Sequence, residues 1–520
     1  MLRPTRARRA VLARLGAAVT VAALALTACS APFGHSGPEP RTPTAGTSAP
    51  PARDPATQSA YSAFYQQQPA WRGCGDSLEC TAVTVPVDWA APTGPTLGLN
   101  VVRRRAAGSR IGSLLINPGG PGVAGADWVK KSSSLFGTAL RDAFDLVGWD
   151  PRGTGDSGGI RCLESDRLDA FFAADMTPDD AAERDADVTL NRELAAGCRA
   201  QAGALFGHVD TISTVKDMDV LRAVLGDRTL SYFGASYGTF LGAWYAQLFP
   251  WRVGRLVLDG AVDPSLDAKG YIAGQAMGFD RAVTAYLEDC LHQEGCPFRG
   301  TPAEARDQLG ALLQAADSRP LRTSGGRELT QSLMATGIAY GMYAQGFWKS
   351  LSQALTKALQ GDGTPLLEMA DAYNERDAKG HYGGTLQAYS PIYCLDHPDT
   401  RTLDEIAADA AELGRRYPPL GDFVGWGAVA CLVWPVKPVL TPQRLTAQGA
   451  APILVVGSTG DPATPYEWAK GLASQLSSGR LLTREGTGHT AYLEGSACIN
   501  EAVEAYLVAG DVPKEGTVCR

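Results

Sequence analysis

Short apolar runs alternate with helical periodicity over the first half of the chain. The runs at 111–116, 144–149 and 230–233 are typical of strands that are buried on both faces. Between the last two, residues 215–225 carry apolar side chains at helical spacing. This order predicts βαβ units and a mainly parallel sheet.

The strand pattern fades after about residue 265 and returns at 451–457. In the gap, segments such as 303–316 and 346–359 have the pattern of amphipathic helices. We therefore predict an α/β fold with an inserted helical cap. The expected division is a core at 59–265, a cap at 266–440 and a second core segment at 441–520.

A serine stands between an apolar run and a helical segment, in the sequence Gly234-Ala235-Ser236-Tyr237-Gly238. G-x-S-x-G in this context indicates the nucleophile elbow of an α/β hydrolase. The small residues let the chain turn sharply so that the Ser236 hydroxyl projects from the sheet. The N–H of Tyr237 would then face an oxyanion that develops on the substrate.

Nucleophilic serines need a histidine base and a carboxylate that orients it, and in this fold they follow in the order Ser, acid, His. Asp461 comes directly after the run at 453–457, and His489 follows the apolar pair at 481–482. We predict these two residues as acid and base. The alternatives are that Asp461 starts a turn before a proline, with Thr464 as the N-cap of a helix, and that His489 is an ordinary loop residue.

A glycine-rich loop, Asn117-Pro118-Gly119-Gly120-Pro121-Gly122, follows the strand at 111–116. Such a loop can bring backbone N–H groups close to a substrate oxygen. The loop after the next strand contains Arg152, which we expect to be buried against a carboxylate. A phosphate-binding role for that loop lacks the G-x-x-x-x-G-K-[ST] pattern.

These motifs resemble the proline iminopeptidase branch of the α/β hydrolases, and more closely the secreted tripeptidyl aminopeptidases of actinobacteria. The blocks that carry the resemblance are the Gly-Gly-Pro-Gly loop, the Asp-x-Arg-Gly-x-Gly-x-Ser loop, the elbow, and Arg255-Leu256-Val257-Leu258-Asp259-Gly260. The resemblance implies Ser236, Asp461 and His489 as a triad. It also implies the N–H groups of Gly120 and Tyr237 as the oxyanion hole. Pro118 stands where the iminopeptidases carry a histidine.

The function expected from these features is that of a serine exopeptidase that removes tripeptides or other short peptides from free N-termini. An esterase or lipase uses the same triad and is the main alternative. A catalytically inactive binding protein is a further alternative. An acidic side chain should hold the substrate's ammonium, and Asp396 is our candidate, with a helix cap or a salt bridge as the structural alternative. No metal or organic cofactor is needed for this chemistry.

The N-terminus has the pattern of an export signal, with five arginines before an apolar stretch at 17–25. Leu26-Thr27-Ala28-Cys29 resembles a bacterial lipobox, so we predict a signal peptide at 1–28 and lipid on Cys29. Residues 29–58 are rich in Pro, Ser, Thr, Ala and Gly and are predicted to form a flexible tether. The protein should then lie at the cell surface, and the export route, general or twin-arginine, stays open.

Ten cysteines remain after Cys29, and an even number in an exported chain suggests disulfides. The sequence alone does not determine the pairing. Pairs of sequential neighbours close compact loops, namely Cys74–Cys80, Cys162–Cys198, Cys290–Cys296, Cys394–Cys431 and Cys498–Cys519. A zinc site would be the alternative, but no C-x-x-C pair supports one.

The net charge of −8 includes the five arginines of the signal segment, so the exported part carries about −13. An acidic body of this kind argues against nucleic acid as a partner. It is compatible with cationic substrates such as free amino termini. We expect a monomer that contacts the membrane only through its lipid.

Overall fold

The computed structural model describes residues 38–46 and 54–520. The signal segment and Cys29 lie outside the described residues. Twelve strands occur in the described part of the chain. They are β1 Arg72–Gly73, β2 Leu78–Pro86, β3 Thr96–Arg104, β4 Gly112–Asn117, β5 Phe144–Trp149, β6 Leu230–Ala235, β7 Val253–Asp259, β8 Leu321–Arg322, β9 Glu328–Leu329, β10 Ile453–Gly460, β11 Gly479–Thr487 and β12 Val518–Cys519.

Helices connect these strands and form most of the segment between β7 and β10. Their bounds are α1 Ser62–Tyr65, α2 Gly125–Ser132, α3 Thr138–Ala143, α4 Ser165–Ala173, α5 Ala181–Ala202, α6 Thr211–Val224, α7 Tyr237–Leu248, α8 Ala268–Leu291, α9 Pro302–Ser318, α10 Gln331–Met342, α11 Trp348–Leu359, α12 Thr364–Tyr373, α13 Thr385–Asp396, α14 Leu403–Arg416, α15 Gly421–Trp426, α16 Val429–Leu432, α17 Tyr466–Gln475 and α18 Ala497–Ala509. None of the helices in this described part is long and apolar enough to cross a membrane.

Ten strands form one sheet in the order β1-β2-β3-β5-β4-β6-β7-β10-β11-β12. The pairs from β5 to β12 are parallel, and β1, β2 and β3 add an antiparallel edge. The α/β fold expected from the alternating pattern is therefore confirmed. The carboxyl ends of β4, β6, β7, β10 and β11 meet at one edge of the sheet, because these five strands are neighbours and parallel.

Alternate side chains of the central strands enter two different cores. In β4, Leu115 faces one core, whereas Leu114 and Ile116 face the other. Each of these side chains is fully buried. Burial on both faces explains why the sequence shows continuous apolar runs instead of alternation. The burial arises because helices cover both faces of the sheet.

The predicted helices at 303–316 and 346–359 correspond to α9 and α11. Together with α8, α10 and α12 they form a separate apolar cluster, which includes Leu287, Leu309, Ile338 and Leu351. This cluster gives the cap a core of its own. The cap nonetheless packs into one compact unit with the sheet, which spans Pro38–Arg520.

The segment with helices α4 and α5, between β5 and β6, packs with the cap, although we predicted it as part of the core. Asp169 on α4 pairs with Arg376 beyond α12, with Nε and Oδ1 2.7 Å apart. The Met176 N–H donates to Ser332 Oγ on α10 at 3.0 Å. The cap is therefore built from two separate parts of the chain.

Part of the segment predicted as a tether packs against the core. Asp54 is buried and forms a salt bridge with Arg252, at 2.6 Å between Oδ2 and an arginine nitrogen. The Arg41 N–H donates to the carbonyl of Val508 at 2.9 Å. The ordered body therefore begins before residue 59, and the predicted tether is too long at its C-terminal end.

Five disulfides are present within the described part of the chain. They join the sequential neighbours Cys74–Cys80, Cys162–Cys198, Cys290–Cys296, Cys394–Cys431 and Cys498–Cys519. Cys394–Cys431 ties α13 to α16 in the returning part of the cap. Cys498–Cys519 ties the last helix to the last strand.

Candidate active site

Ser236 occupies the sharp turn between β6 and α7. Its backbone has φ 54° and ψ −125°, a conformation that side chains other than glycine rarely adopt. Flanking glycines make this turn sterically feasible: a Cβ on Gly234 would lie 2.4 Å from the carbonyl oxygen of Gly238. A Cβ on Gly238 would lie 2.7 Å from that of Asn117. The motif is thus required by close backbone packing at the end of two adjacent strands.

The glycine-rich loop after β4 lies directly against this turn. A Cβ on Gly119 would be 2.8 Å from the Cβ of Ser236 and 3.2 Å from the backbone nitrogen of Tyr237. Gly119, Gly120 and Gly122 all have φ between 103° and 110°, and the Gly120-Pro121 bond is cis. Only glycine adopts this succession of conformations without strain.

Two backbone N–H groups, those of Gly120 and Tyr237, lack acceptors in the described part of the chain. Gly119 donates its N–H to Asn117 Oδ1 at 2.9 Å, but nothing among residues 38–46 and 54–520 accepts from Gly120 or Tyr237. Tyr237 is the first residue of α7, where N–H groups are normally left for an outside acceptor. Both predicted oxyanion donors therefore remain available for a ligand oxygen.

Asp461 and His489 lie at the ends of β10 and β11, as their positions after two apolar runs predict. His489 Nδ1 is 2.9 Å from Asp461 Oδ1 and 3.0 Å from Oδ2. The carboxylate also accepts the N–H groups of Ala463, Thr464 and Thr490 and the hydroxyl proton of Thr464. This buried set of donors holds the carboxylate in one orientation toward the ring.

Ser236 and His489 both lie close to the peptide that follows β7. The Ser236 N–H donates to the carbonyl of Asp259 at 2.8 Å. A Cβ on the next residue, Gly260, would be 3.3 Å from His489 Cε1. The structure thus brings all three residues of the predicted triad to the same edge of the sheet.

Electrostatics at His489 favour the protonated ring. Burial of the imidazole acts to lower its pKa, but the Asp461 carboxylate opposes this, with smaller contributions from Asp259 and Glu494. The net effect raises the pKa of His489 above its ordinary value. Such a ring is suited to hold a proton taken from a hydroxyl and to pass it on.

Asp259 supports the loop that carries His489, a role that sequence reasoning missed. Its Oδ2 accepts the N–H groups of Ala491 and Tyr492 at 3.1 and 2.8 Å. Burial raises the pKa of Asp259 to about 6, and the two backbone bonds offset part of this rise. Its position at the end of a strand in the same sheet was the signal that could have identified it.

Comparisons with known proteins identify the family of this chain. Serine protease Hip1 of Mycobacterium tuberculosis is 37% identical over 456 residues, which cover 85% of this chain and 87% of the relative. The tripeptidyl aminopeptidase of Streptomyces lividans is 33% identical, with 85% and 83% covered. The model of a family described as TAP-like protein matches residues 417–519. This chain belongs to the TAP-like α/β hydrolases.

Membership of the TAP-like group makes this chain a serine hydrolase of the peptidase type. A further relative is carboxylesterase B of Mycobacterium tuberculosis, which is 34% identical over 472 residues, 87% of this chain and 90% of the relative. The matched segment at 417–519 contains both Asp461 and His489 but not Ser236. These relatives confirm the resemblance to the tripeptidyl aminopeptidases that the sequence motifs indicate.

Asp396 does not face the cleft of this TAP-like enzyme. Its carboxylate is buried and accepts the N–H and hydroxyl protons of Thr211, both at 2.8 Å, and the phenol proton of Tyr237 at 3.2 Å. Burial raises the pKa of Asp396 to about 8. These internal bonds leave the carboxylate with a structural role beneath the elbow, so it does not suit the substrate ammonium that we assigned to it.

Thr464 also differs from its expected role as a helix N-cap. Helix α17 begins at Tyr466, one residue later than an N-cap at Thr464 predicts, and its N-cap Pro465 provides no side-chain bond. The Thr464 hydroxyl instead donates to Asp461 Oδ2 at 3.1 Å. Arg152, in contrast, is fully buried and pairs with Asp217 at 2.7 Å, as predicted.

Proposed function

We propose that this protein is an exported serine exopeptidase that releases tripeptides or other short peptides from free N-termini. In this proposal Ser236 attacks the scissile carbonyl while His489 takes its proton and Asp461 orients the imidazole. The N–H groups of Gly120 and Tyr237 stabilise the oxyanion. His489 then protonates the leaving amine, and water releases the acyl group.

One observation carries the proposal: a strained serine and the His489–Asp461 pair lie at one edge of the sheet, and the N–H groups of Gly120 and Tyr237 have no acceptor among the described residues. Strain and unpaired donors both cost free energy, so their coincidence favours a catalytic role. The names of two relatives, a serine protease and a tripeptidyl aminopeptidase, support a peptide substrate. The mechanism requires neither a metal nor an organic cofactor.

The experiment compares fluorogenic tripeptide anilides with free and with acetylated amino groups. Acetylation removes the ammonium charge and adds bulk, so kcat/KM should fall. The fall should correspond to a loss of at least ~2–3 kcal/mol in transition-state stabilisation, the scale for losing a charged hydrogen bond. Equal rates on both forms would contradict exopeptidase action. Blocked dipeptides that carry the same anilide serve as controls for the reactivity of the leaving group.

An esterase is the second candidate, because carboxylesterase B is among the relatives. Esters need the same triad but no anchor for an ammonium group. Short p-nitrophenyl esters that react faster than every free-amine peptide would favour this alternative.

We further propose that Cys29 is lipidated and anchors the enzyme to the outer face of the cell membrane. The five disulfides support export, since such bonds persist in oxidising compartments. Cys29→Ser should release the protein from membranes or block its processing. A wild-type protein that is soluble, unmodified and starts at another residue would refute the anchor.

A further inference from the structure

One helix of the cap, α13, contacts both sides of the predicted oxyanion hole. At its N-terminal end, a Cβ on Gly122 would lie 2.2 Å from the carbonyl oxygen of Thr385. Gly122 in turn adjoins Gly120, because a Cβ on Gly120 would be 2.8 Å from the Gly122 nitrogen. The last residue of the same helix is Asp396, whose carboxylate bonds to Tyr237. The cap therefore reaches both residues whose N–H groups are the predicted donors.

The helix that follows Ser236 does not itself fix the N–H of Tyr237. Tyr237 is the first residue of α7, and the N–H groups in the first turn of a helix have no partner within that helix. The preceding residue is held by the bond from the Ser236 N–H to the carbonyl of Asp259. The direction of the next N–H group then depends on how the Tyr237 side chain is held.

The Tyr237 side chain is buried and has three specific contacts. Its hydroxyl oxygen lies 2.6 Å from Thr211 Oγ1, and the hydroxyl donates to Asp396 Oδ2 at 3.2 Å. Its ring stacks on that of Phe240, one turn further along α7, with centroids 6.1 Å apart. A phenol that is bonded at its far end and packed along its ring has one available position.

The two partners of the phenol are bonded to each other. Asp396 accepts the N–H and the hydroxyl proton of Thr211, both at 2.8 Å. Thr211 is the first residue of α6, where the free N–H groups and the helix dipole favour a carboxylate. Both side chains are buried. The pair thus joins a cap helix, a core helix and the residue after the serine.

We propose that Asp396 and Thr211 are positioning residues for the oxyanion hole. They hold the phenol of Tyr237 and thereby aim its N–H at the oxygen that becomes negative in the tetrahedral intermediate. Because Asp396 belongs to the cap, the seating of the cap on the core then determines how well that oxygen is stabilised. The assignment rests on the proposed function for the role of the Tyr237 N–H, but it does not depend on the substrate being a peptide.

The first experiment removes the phenol oxygen and keeps the ring. Tyr237→Phe should lower kcat for p-nitrophenyl acetate about tenfold and leave KM unchanged, because an oxyanion contact acts mainly in the transition state. Tyr245→Phe is the matched control, since Tyr245 lies on the same helix and its buried hydroxyl donates to Asp219 at 3.1 Å. The control should retain the wild-type kcat. Equal kcat in Tyr237→Phe and Tyr245→Phe would overturn the proposal.

The second experiment tests Asp396 itself. Asp396→Ala removes the bonds to Thr211 and Tyr237, so kcat per active site should fall about tenfold or more. In Asp396→Asn the amide oxygen can still accept the Thr211 N–H and the NH₂ group can donate to a neighbouring hydroxyl, so most of the lost kcat should return.

Active-site titration distinguishes positioning from support of the fold in these Asp396 variants. A side chain that only supports the fold would lower the number of titratable sites and leave kcat per site unchanged. That result in Asp396→Ala would overturn the proposal.

A binding measurement separates this inference from the exopeptidase function. Phenylboronic acid forms a tetrahedral adduct when the Ser236 oxygen bonds to boron and its proton passes to His489. Such an adduct imitates the transition state, so its Kd should rise about tenfold in Tyr237→Phe and stay unchanged in Tyr245→Phe. Equal affinity in both variants would overturn the positioning role and leave the exopeptidase proposal intact. An enzyme that binds the boronate as expected but cleaves only esters would contradict the exopeptidase proposal alone.

Discussion

The backbone carbonyl of Tyr343 accepts the N–H of His489 at 2.8 Å. Tyr343 follows α10 in the cap, and its ring also meets the imidazole edge to face, with centroids 5.4 Å apart. The cap therefore contacts both the backbone and the imidazole ring of His489, the residue that we propose as the base.

Replacement of Tyr343 by alanine removes the ring but keeps the carbonyl. We expect kcat to fall about tenfold or more, because the imidazole loses a packing partner and small misplacements are costly in catalysis. Burial acts to lower the pKa of His489, so greater hydration should raise it. A pH profile of kcat/KM measures both effects. Tyr340→Ala is the control, since Tyr340 stacks on Phe347, and a similar response there would contradict the specific contact.

Ser236→Ala should abolish turnover without loss of the fold. The change deletes one oxygen, and loss of a triad member costs about 10⁴ to 10⁶ in kcat. The assay is hydrolysis of tripeptide anilides, with thermal unfolding as a check of structure. Ser474→Ala, which alters an exposed hydroxyl bonded to Gly471, should retain full activity. More than a tenth of wild-type activity in Ser236→Ala would identify another nucleophile.

The rate should depend on pH through His489. The base must be neutral, so kcat/KM should fall as the pH drops through a midpoint above the ordinary histidine value near 6.5. Asp461→Asn removes the main group that raises this pKa, so the midpoint should move to lower pH. Its rate should also fall about 10⁴-fold, because the imidazole loses the carboxylate that orients it. An unchanged midpoint in Asp461→Asn would contradict the pair.

Asp259 should make the protein less stable as the pH rises from about 4 to 6. Its pKa is raised to about 6 in the folded state against about 3.9 when unfolded, so the native state binds more protons in this window. The loss is on the order of 2–3 kcal/mol and is complete above pH 6.

Asp259→Asn should flatten that profile. An asparagine oxygen can still accept from Ala491 and Tyr492, and its NH₂ group replaces the oxygen Oδ1, which has no partner within the described residues. Urea unfolding at several pH values measures the effect. Asp259→Leu, which removes the acceptor, should instead lower kcat by displacing the His489 loop, and normal activity in that variant would contradict the supporting role.

The Arg152–Asp217 pair should be necessary for stability. Both side chains are fully buried, so Arg152→Met leaves an unpaired carboxylate and should cost about 3–5 kcal/mol in the free energy of unfolding. Arg105→Met, at an arginine that is 65% exposed, should cost less than about 1 kcal/mol. Equal losses of stability in the two variants would show that burial does not decide the effect.

The sequence predicts those parts of the site that depend on local chain geometry. The serine turn needs glycines at fixed spacing. Asp461 follows a strand with a continuous apolar run, and His489 follows a strand that contains the apolar pair at 481–482. Their convergence then follows from a parallel sheet, in which successive strand ends share one edge.

Contacts between distant segments are not encoded in any local pattern. Asp396 is acidic and lies near the return of the cap, but packing against Thr211 turns it inward. Tyr343 reaches His489 only because α10 ends above the sheet. The joining of α4–α5 to the cap likewise depends on pairs such as Asp169–Arg376, whose partners are more than 200 residues apart.

The close approach of Gly122 to the cap limits how the enzyme can open. A Cβ on Gly122 would come within 2.2 Å of the Thr385 carbonyl oxygen, and a second cap residue, Tyr343, is bonded to His489. A cap that contacts the core at both points cannot open by rotation about one of them, since both contacts would have to break together.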